Sequence, residues 1–156
     1  MPAVVTVREI PAGSTMQAAD AMLVLRPRWG TPQALAAAVD EQLRPAGYRL
    51  VGVFEDGDGR EQEADGPRAL AVAGFREMTM LAWGRLLYVD DVSTLPEERG
   101  AGHADRLLTW LEDEARRLGC EGVHLDSGVG PDRAPAHRLY MRHRMRISAH
   151  HFQRDL

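Results

Sequence analysis

The stretch PEERGAGHADRLL, Pro96 to Leu108, places two glycines directly in front of a strong helical pattern. Glycine inside regular structure costs about 0.5–1 kcal/mol relative to alanine, so Gly100 and Gly102 need a reason. The first N–H groups of a helix have no internal partners and carry the positive end of its dipole, which suits phosphate. The stretch therefore indicates a turn in which glycine lets the backbone approach a pyrophosphate, with Arg99 adding positive charge.

Two other phosphate-binding motifs do not fit this stretch. The P-loop requires Gly-Lys-Ser/Thr, and the chain contains no lysine. The dinucleotide fingerprint G-x-G-x-x-G requires a third glycine where Asp105 stands. A plain glycine-rich turn is the alternative interpretation, and the place of the stretch between a strand and an amphipathic helix argues against it.

The composition is that of a globular protein of ordinary size. The 156 residues are 44% hydrophobic and 27% charged, which predicts one domain spanning residues 1–156 with a real core. The net charge of -4 does not favour a nucleic-acid partner. A single cysteine, Cys120, excludes an internal disulfide and a cysteine-based zinc cluster. The sequence shows neither a signal-peptide pattern nor an apolar stretch of about 18 residues, so we expect a cytoplasmic protein without a membrane partner.

Working outward from the glycine turn, the order of elements predicts a mixed α/β fold. GRLLYVDDVST (Gly84–Thr94) reads as a strand before the turn, and the helix after it carries an apolar stripe that ends near Gly119. The other predicted elements, in chain order, are a strand at Ala3–Ile10, a helix capped by Ser14, a helix beginning at Thr31-Pro32, a hairpin of Tyr48–Glu55 and Ala69–Glu77, a strand at Gly122–Val129, a helix at Ala134–His143 and a closing strand at Arg146–Gln153.

These residues resemble a known family. Arg99-Gly100-Ala101-Gly102-His103-Ala104 resembles the R-G-x-G-x-G/A signature of the GNAT acyltransferases, a superfamily of N-acetyltransferases that use acetyl-CoA. AHRLYMRHRM (Ala136–Met145) resembles the family's later motif of Ala, two residues, aromatic or Leu, then Tyr. The resemblance is clearest from about Leu86 to Phe152. It implies a mixed, mostly antiparallel sheet flanked by helices, with a splayed central gap for acyl-CoA.

The resemblance also implies roles for particular residues. Backbone groups of Val92, Ser93 and Thr94 would face the pantetheine arm. The backbone amides that would hold the pyrophosphate are those of Arg99, Gly100, Ala101, Gly102, His103 and Ala104. Tyr140 matches the tyrosine that protonates the departing CoA thiolate in many members, and a phenol with a pKa of about 10 can do so at neutral pH. The family's usual Gly-Phe after that tyrosine is here Arg144-Met145, so we expect an altered turn into the last strand.

Two consecutive aspartates, Asp90 and Asp91, precede the pantetheine segment. Aspartate is a poor strand former, so the pair needs an explanation. An amine must be neutral when it attacks a thioester, and a nearby carboxylate can deprotonate or anchor the ammonium. Because successive strand residues face opposite sides, we expect one of the pair to face the cleft. Asp90 is the predicted base or anchor and Asp91 the reserve; the alternative is that arginine or backbone contacts hold both.

The predicted function is transfer of an acetyl group from acetyl-CoA to a primary amine, by direct attack in a ternary complex. The acceptor is a small-molecule or peptide amine, no metal is expected, and a homodimer is possible. A non-catalytic acyl-CoA-binding or regulatory module, an interaction domain with a degenerate loop, and a different acyl donor are the alternatives.

Overall fold

The computed structural model describes residues 3–156, which contain a five-stranded sheet in the order β1-β2-β3-β4-β5. The strands are β1 (Val5–Ile10), β2 (Arg49–Glu55), β3 (Ala71–Met80), β4 (Gly84–Thr94) and β5 (Gly122–Leu125). The α-helices are α1 (Met16–Leu25), α2 (Pro32–Ala38), α3 (His103–Arg117) and α4 (Ala134–Arg142). Strands β1 to β4 pair antiparallel with their neighbours. The prediction of a mixed, mostly antiparallel sheet flanked by helices is confirmed.

The chain divides into two compact units, Met1–His124 and Leu125–Leu156. In the N-terminal unit, alternation along the strands sends apolar side chains to both faces of the sheet. One face joins α1 and α2 in a buried cluster that includes Ile10, Leu50 and Phe54. On the other face the ring of Phe75 meets Trp110 of α3, with ring centroids 5.7 Å apart.

The starts of α1 and α2 show one prediction wrong and one confirmed. Thr31 caps α2, since its hydroxyl oxygen accepts from the Ala34 N–H at 3.1 Å. The predicted Ser14 cap of α1 is wrong, because Thr15 holds that position. The Thr15 hydroxyl donates instead to Asp40 at 2.6 Å and accepts from Arg44, so it links the start of α1 to the segment that follows α2 rather than capping α1.

The C-terminal unit is less regular than predicted. Strand β5 ends at Leu125 rather than Val129, and His137 Nε2 lies 2.8 Å from the Gly128 carbonyl oxygen, which holds that segment to α4. The predicted closing strand Arg146–Gln153 is wrong, because residues 146–156 are exposed and form no regular element. Ile147 and Phe152 are five positions apart, so a strand would send them to opposite faces and neither face would gain much from pairing.

Candidate functional site

The glycine turn lies between β4 and α3, as predicted. Gly100 and Gly102 have φ angles of 82° and 79°, a left-handed conformation that favours glycine. Gly102 stands at the N-cap of the 15-residue α3, and among the described residues no side chain caps the helix there. Arg106 Nη1 donates to the Ala101 carbonyl at 2.7 Å. The turn is therefore held by its own helix, and its N–H end remains the kind of place that an anion occupies.

His103 supports this turn from inside the protein. Its side chain is 5% exposed, and its Nε2 lies 3.5 Å from a carboxylate oxygen of Glu98. Within residues 3–156, its Nδ1 is a buried polar atom without a hydrogen-bond partner. The imidazole thus faces the Glu98 side of the turn, and the backbone amide is what His103 offers to the predicted pyrophosphate site.

The predicted pantetheine segment, Val92 to Thr94, runs along β4 opposite β3. Ser93 faces Val72 in the register, and its hydroxyl donates to the Ala21 carbonyl of α1 at 2.6 Å. Because that buried hydroxyl is engaged with α1, the side chain of Ser93 serves the fold. The predicted role of this segment through its backbone stays a prediction.

A β-bulge interrupts β4 at the two aspartates. Gly74 stands opposite Asp91 and Phe75 opposite Val89, so Asp90 is the extra residue. The expectation that strand alternation sends the two side chains to opposite faces is therefore wrong, because a bulge breaks the alternation. Hydrogen bonds link the two aspartates to Arg26, Tyr48 and Arg76. These five residues are called the bulge cluster.

Within the bulge cluster, Asp90 is paired with Arg76 in a two-point contact. Arg76 Nε and Nη2 donate to the two carboxylate oxygens at 2.9 and 3.0 Å. Burial raises the pKa of Asp90 above its ordinary value, and the hydrogen bonds and charge of Arg76 oppose that rise. The side chain is 20% exposed, so solvent still reaches it.

Asp91 has a different set of partners. The Tyr48 hydroxyl donates to Asp91 Oδ2 at 2.7 Å, and Arg26 Nε donates to Oδ1 at 2.7 Å. Burial, and then the negative charge of Asp91, raise the pKa of Tyr48 well above its ordinary value. Tyr48 is therefore a hydrogen-bond donor throughout the physiological pH range.

Gly74 makes the Tyr48 contact possible. A Cβ at residue 74 would lie 1.6 Å from the Tyr48 hydroxyl oxygen, which is far inside van der Waals contact. The tyrosine thus crosses β3 at a position that has no side chain. An isolated glycine inside a strand pattern signals a bulge or a close approach, and Gly74 shows that signal in the sequence.

Tyr140, in the C-terminal unit, lies half-buried on α4. Burial raises the pKa of its hydroxyl, while the charge of Arg133 opposes the rise. The phenol is protonated at neutral pH, as a proton donor must be. Its predicted role stays a prediction, as do those of Asp90 and Asp91.

Sequence reasoning missed Arg26, Tyr48, Gly74 and Arg76 as parts of the site.

Among residues 3–156, no three histidine, cysteine, aspartate or glutamate side chains come together as a metal site. Over the same residues, no helix combines the length and apolar character that crossing a membrane requires.

A model of the acetyltransferase (GNAT) family matches residues 19–144, which is most of the chain. The chain belongs to this family of acetyltransferases.

Two curated relatives agree with that assignment. The chain is 34% identical over 68 residues to an aminoalkylphosphonate N-acetyltransferase of Salmonella typhimurium, a match that covers 44% of this chain and 43% of the relative. It is 32% identical over 111 residues to a streptothricin acetyltransferase of Streptomyces lavendulae, covering 63% of this chain and 58% of the relative. The matches span about half the length of these relatives.

Solved structures share the fold at low sequence identity. An acetyltransferase of Trypanosoma brucei aligns with a TM-score of 0.70 at 20% identity, over 98% of this chain and 100% of that one. A ribosomal-protein-alanine N-acetyltransferase of Brucella melitensis aligns with a TM-score of 0.73 at 16% identity, over 98% and 100% of the two chains.

Proposed function

We propose that this chain transfers an acetyl group from acetyl-CoA to a primary amine by direct attack in a ternary complex. One observation carries the proposal: the left-handed Gly100 and Gly102 open the backbone in front of a long, uncapped helix in a GNAT chain. Helix N–H groups and an exposed glycine turn suit a pyrophosphate. The residues from Arg99 to Gly102 are exposed, so a bulky anion can reach the turn.

The proposed reaction uses Asp90, the predicted base, and Tyr140, the proton donor that the family resemblance assigns. The neutral amine nitrogen attacks the thioester carbonyl carbon, the C–N bond forms and the C–S bond breaks. The proton lost by the ammonium goes to Asp90, directly or through water, and Tyr140 gives its proton to the departing thiolate. The second N–H proton, which the attacking nitrogen loses as the amide forms, passes through water to the Tyr140 phenolate and restores the phenol. The raised pKa of Asp90 is in the direction that a base requires, and the raised pKa of Tyr140 keeps its proton available.

We propose a small-molecule or peptide amine as the acceptor. The names of the two curated relatives, an aminoalkylphosphonate acetyltransferase and a streptothricin acetyltransferase, support small-molecule amines as the first compounds to test. The panel should also include amino acids, peptide N-termini and lysine peptides, with acetyl-, malonyl- and succinyl-CoA as donors. The cytoplasmic location and a homodimer stay predictions.

A non-catalytic acyl-CoA-binding module is the second candidate, and one observation favours it. Both carboxylates at the bulge already accept hydrogen bonds from arginine or tyrosine, as a purely structural pair would. Such a module would bind acetyl-CoA without turning over any amine.

Calorimetric titration with acetyl-CoA tests the donor half, with dephospho-CoA as the control for the 3′-phosphate. Ligand at a hundredfold over its Kd should also add about 2.7 kcal/mol of stability. Gly100→Ala is the site variant and Gly30→Ala its matched control, since both glycines have positive φ (82° and 79°) and, among the described residues, no atom within 4 Å of an added Cβ.

We expect both glycine variants to lose stability because alanine is strained at a positive φ, but only Gly100→Ala should weaken acetyl-CoA binding. Folded wild-type protein that binds no acetyl-CoA at millimolar concentration would overturn the proposal. Binding without transfer to any amine of the panel would favour the second candidate.

A further inference from the structure

The bulge cluster contains a connection that the proposed reaction does not use. Tyr48 immediately precedes β2, yet its hydroxyl reaches Asp91 on β4, two strands away in the sheet order. The ring is 3% exposed, and it crosses β3 at Gly74. A buried hydroxyl that reaches a carboxylate across an intervening strand ties the bulge to the far side of β3.

Arg26 spans the same bulge from α1. Its Nε donates to the Asp91 carboxylate at 2.7 Å, and its Nη2 donates to the main-chain carbonyl of Asp90 at 3.1 Å. One guanidinium therefore holds the side chain of one bulge residue and the backbone of the other. The planar, forked guanidinium makes such a two-point contact directional.

The charges of the cluster balance without an external ion. Two arginines face two carboxylates, and Tyr48 is neutral because burial and Asp91 raise its pKa. Since Asp91 is held from two directions and Asp90 from a third, the peptide between them has little freedom to turn. The direction of the Asp90 side chain depends on that peptide.

We propose that Tyr48 and Arg26 are positioning residues, Tyr48 acting through Asp91 and Arg26 through Asp91 and the Asp90 carbonyl. They fix the bulge and so hold the Asp90 carboxylate in the direction that acetyl transfer requires. This inference rests on the proposed function. A misplacement of about 1 Å can cost about a hundredfold in rate, so a tether of this kind has a measurable kinetic effect.

The test compares Tyr48→Phe with Thr15→Val. Thr15 is 2% exposed, and its hydroxyl donates to Asp40, so its replacement also removes one buried hydroxyl that bonds a carboxylate, away from the bulge. Tyr48→Phe should lower kcat about tenfold while the Kd for acetyl-CoA moves less than about threefold, and Thr15→Val should leave kcat within about twofold. Equal losses of kcat in the two variants, or no loss in Tyr48→Phe, would overturn the proposal.

A double-mutant cycle separates action through Asp91 from an independent effect. If Tyr48 acts through Asp91, Tyr48→Phe combined with Asp91→Asn should lower kcat no further than Asp91→Asn alone. Losses that multiply would show that Tyr48 acts by another route and would overturn the proposal.

Hydrogen exchange provides a readout independent of turnover. Tyr48→Phe should speed amide exchange in the β4 peptide that contains the bulge, whereas Thr15→Val should not. If the wild-type protein transfers no acetyl group, the proposed function fails. Hydrogen exchange would then test the positioning role on its own, and unchanged exchange in Tyr48→Phe would overturn that role. Failure of the function appears in the wild type, while failure of the tether appears in the variant.

Discussion

The two units of the chain are stabilised in different ways. In the N-terminal unit, side chains on distant elements bury one another, and Tyr48 meets Asp91 across 43 positions of sequence. Of the described residues in the C-terminal unit, Leu139 alone is a buried apolar side chain, and the hydrogen bonds of α4 are mostly local. The comparison teaches that substitutions of buried side chains in the first unit act mainly through tertiary packing, while those in the second act mainly through local backbone preference.

Gly74→Ala should produce the largest effect. The added methyl would overlap Tyr48, so the ring must leave its place and the Tyr48–Asp91 hydrogen bond is lost. Overpacking together with the unsatisfied buried groups should cost about 4 kcal/mol of unfolding free energy, measured by urea denaturation. A loss of unfolding free energy under about 1 kcal/mol would mean that the packing around Gly74 tolerates the added methyl as well as a surface loop does.

Glu114 should make the N-terminal unit sensitive to acid. Its side chain is 6% exposed and accepts hydrogen bonds from Arg117 and Arg49, which together lower the pKa of Glu114 to about 2. Because the folded pKa lies below the unfolded value, this contribution is present above the unfolded pKa and is lost as the pH falls through about 2. Because solvent screens the charge of the largely exposed Arg117, we expect this contribution to be about 2 kcal/mol at neutral pH.

Urea denaturation of the wild type and Glu114→Gln between pH 7 and pH 2 checks this. The variant should be less stable at pH 7, and the difference should shrink toward the acid end. A difference that stays constant with pH would assign the loss to packing rather than to charge.

Asp91→Asn and Asp90→Asn should separate stability from catalysis. Asp91 is 13% exposed and bonds a buried tyrosine, so its replacement should cost about 2 kcal/mol of unfolding free energy, against about 1 kcal/mol for Asp90→Asn. Under the proposed function, Asp90→Asn should lower kcat about a hundredfold and change acetyl-CoA affinity little. Equal losses of kcat and affinity would remove Asp90 from the catalytic role.

The smallest effects should come from the ends of α3 and α4, which close in the same way. Gly119 follows α3 at φ 72° with the Cys120 N–H donating to the Ala115 carbonyl, and Arg144 follows α4 at φ 59° with the Met145 N–H donating to the Tyr140 carbonyl. Both are Schellman motifs, and glycine is the residue that adopts their left-handed position without strain.

The two helix ends therefore predict opposite signs. Arg144→Gly should raise the unfolding free energy by about 1 kcal/mol, and Gly119→Ala should lower it by about the same amount. Thermal denaturation of both variants measures this. If Arg144→Gly destabilises the protein, the arginine side chain contributes more than its backbone strain costs.

The local features of the fold could be read from the sequence. β4 has the predicted bounds, Thr31 caps α2, and the turn before α3 uses its two glycines as expected, because each depends on neighbouring residues. The closing strand failed because a strand exists only where a partner and a buried face stabilise it. Even the turn expected to change where Arg144 replaces glycine keeps a left-handed residue, since the helix end requires one.

The sequence by itself determined the glycine turn, the helix behind it and the resemblance that led to the family, since all three are written in consecutive residues. Only the tertiary structure decided which side chains surround Asp90 and Asp91. The bulge depends on the register between β3 and β4, and Tyr48, Arg26 and Arg76 come from three other elements. Periodicity cannot reveal such a cluster, because strand alternation fails at the residue where the register shifts.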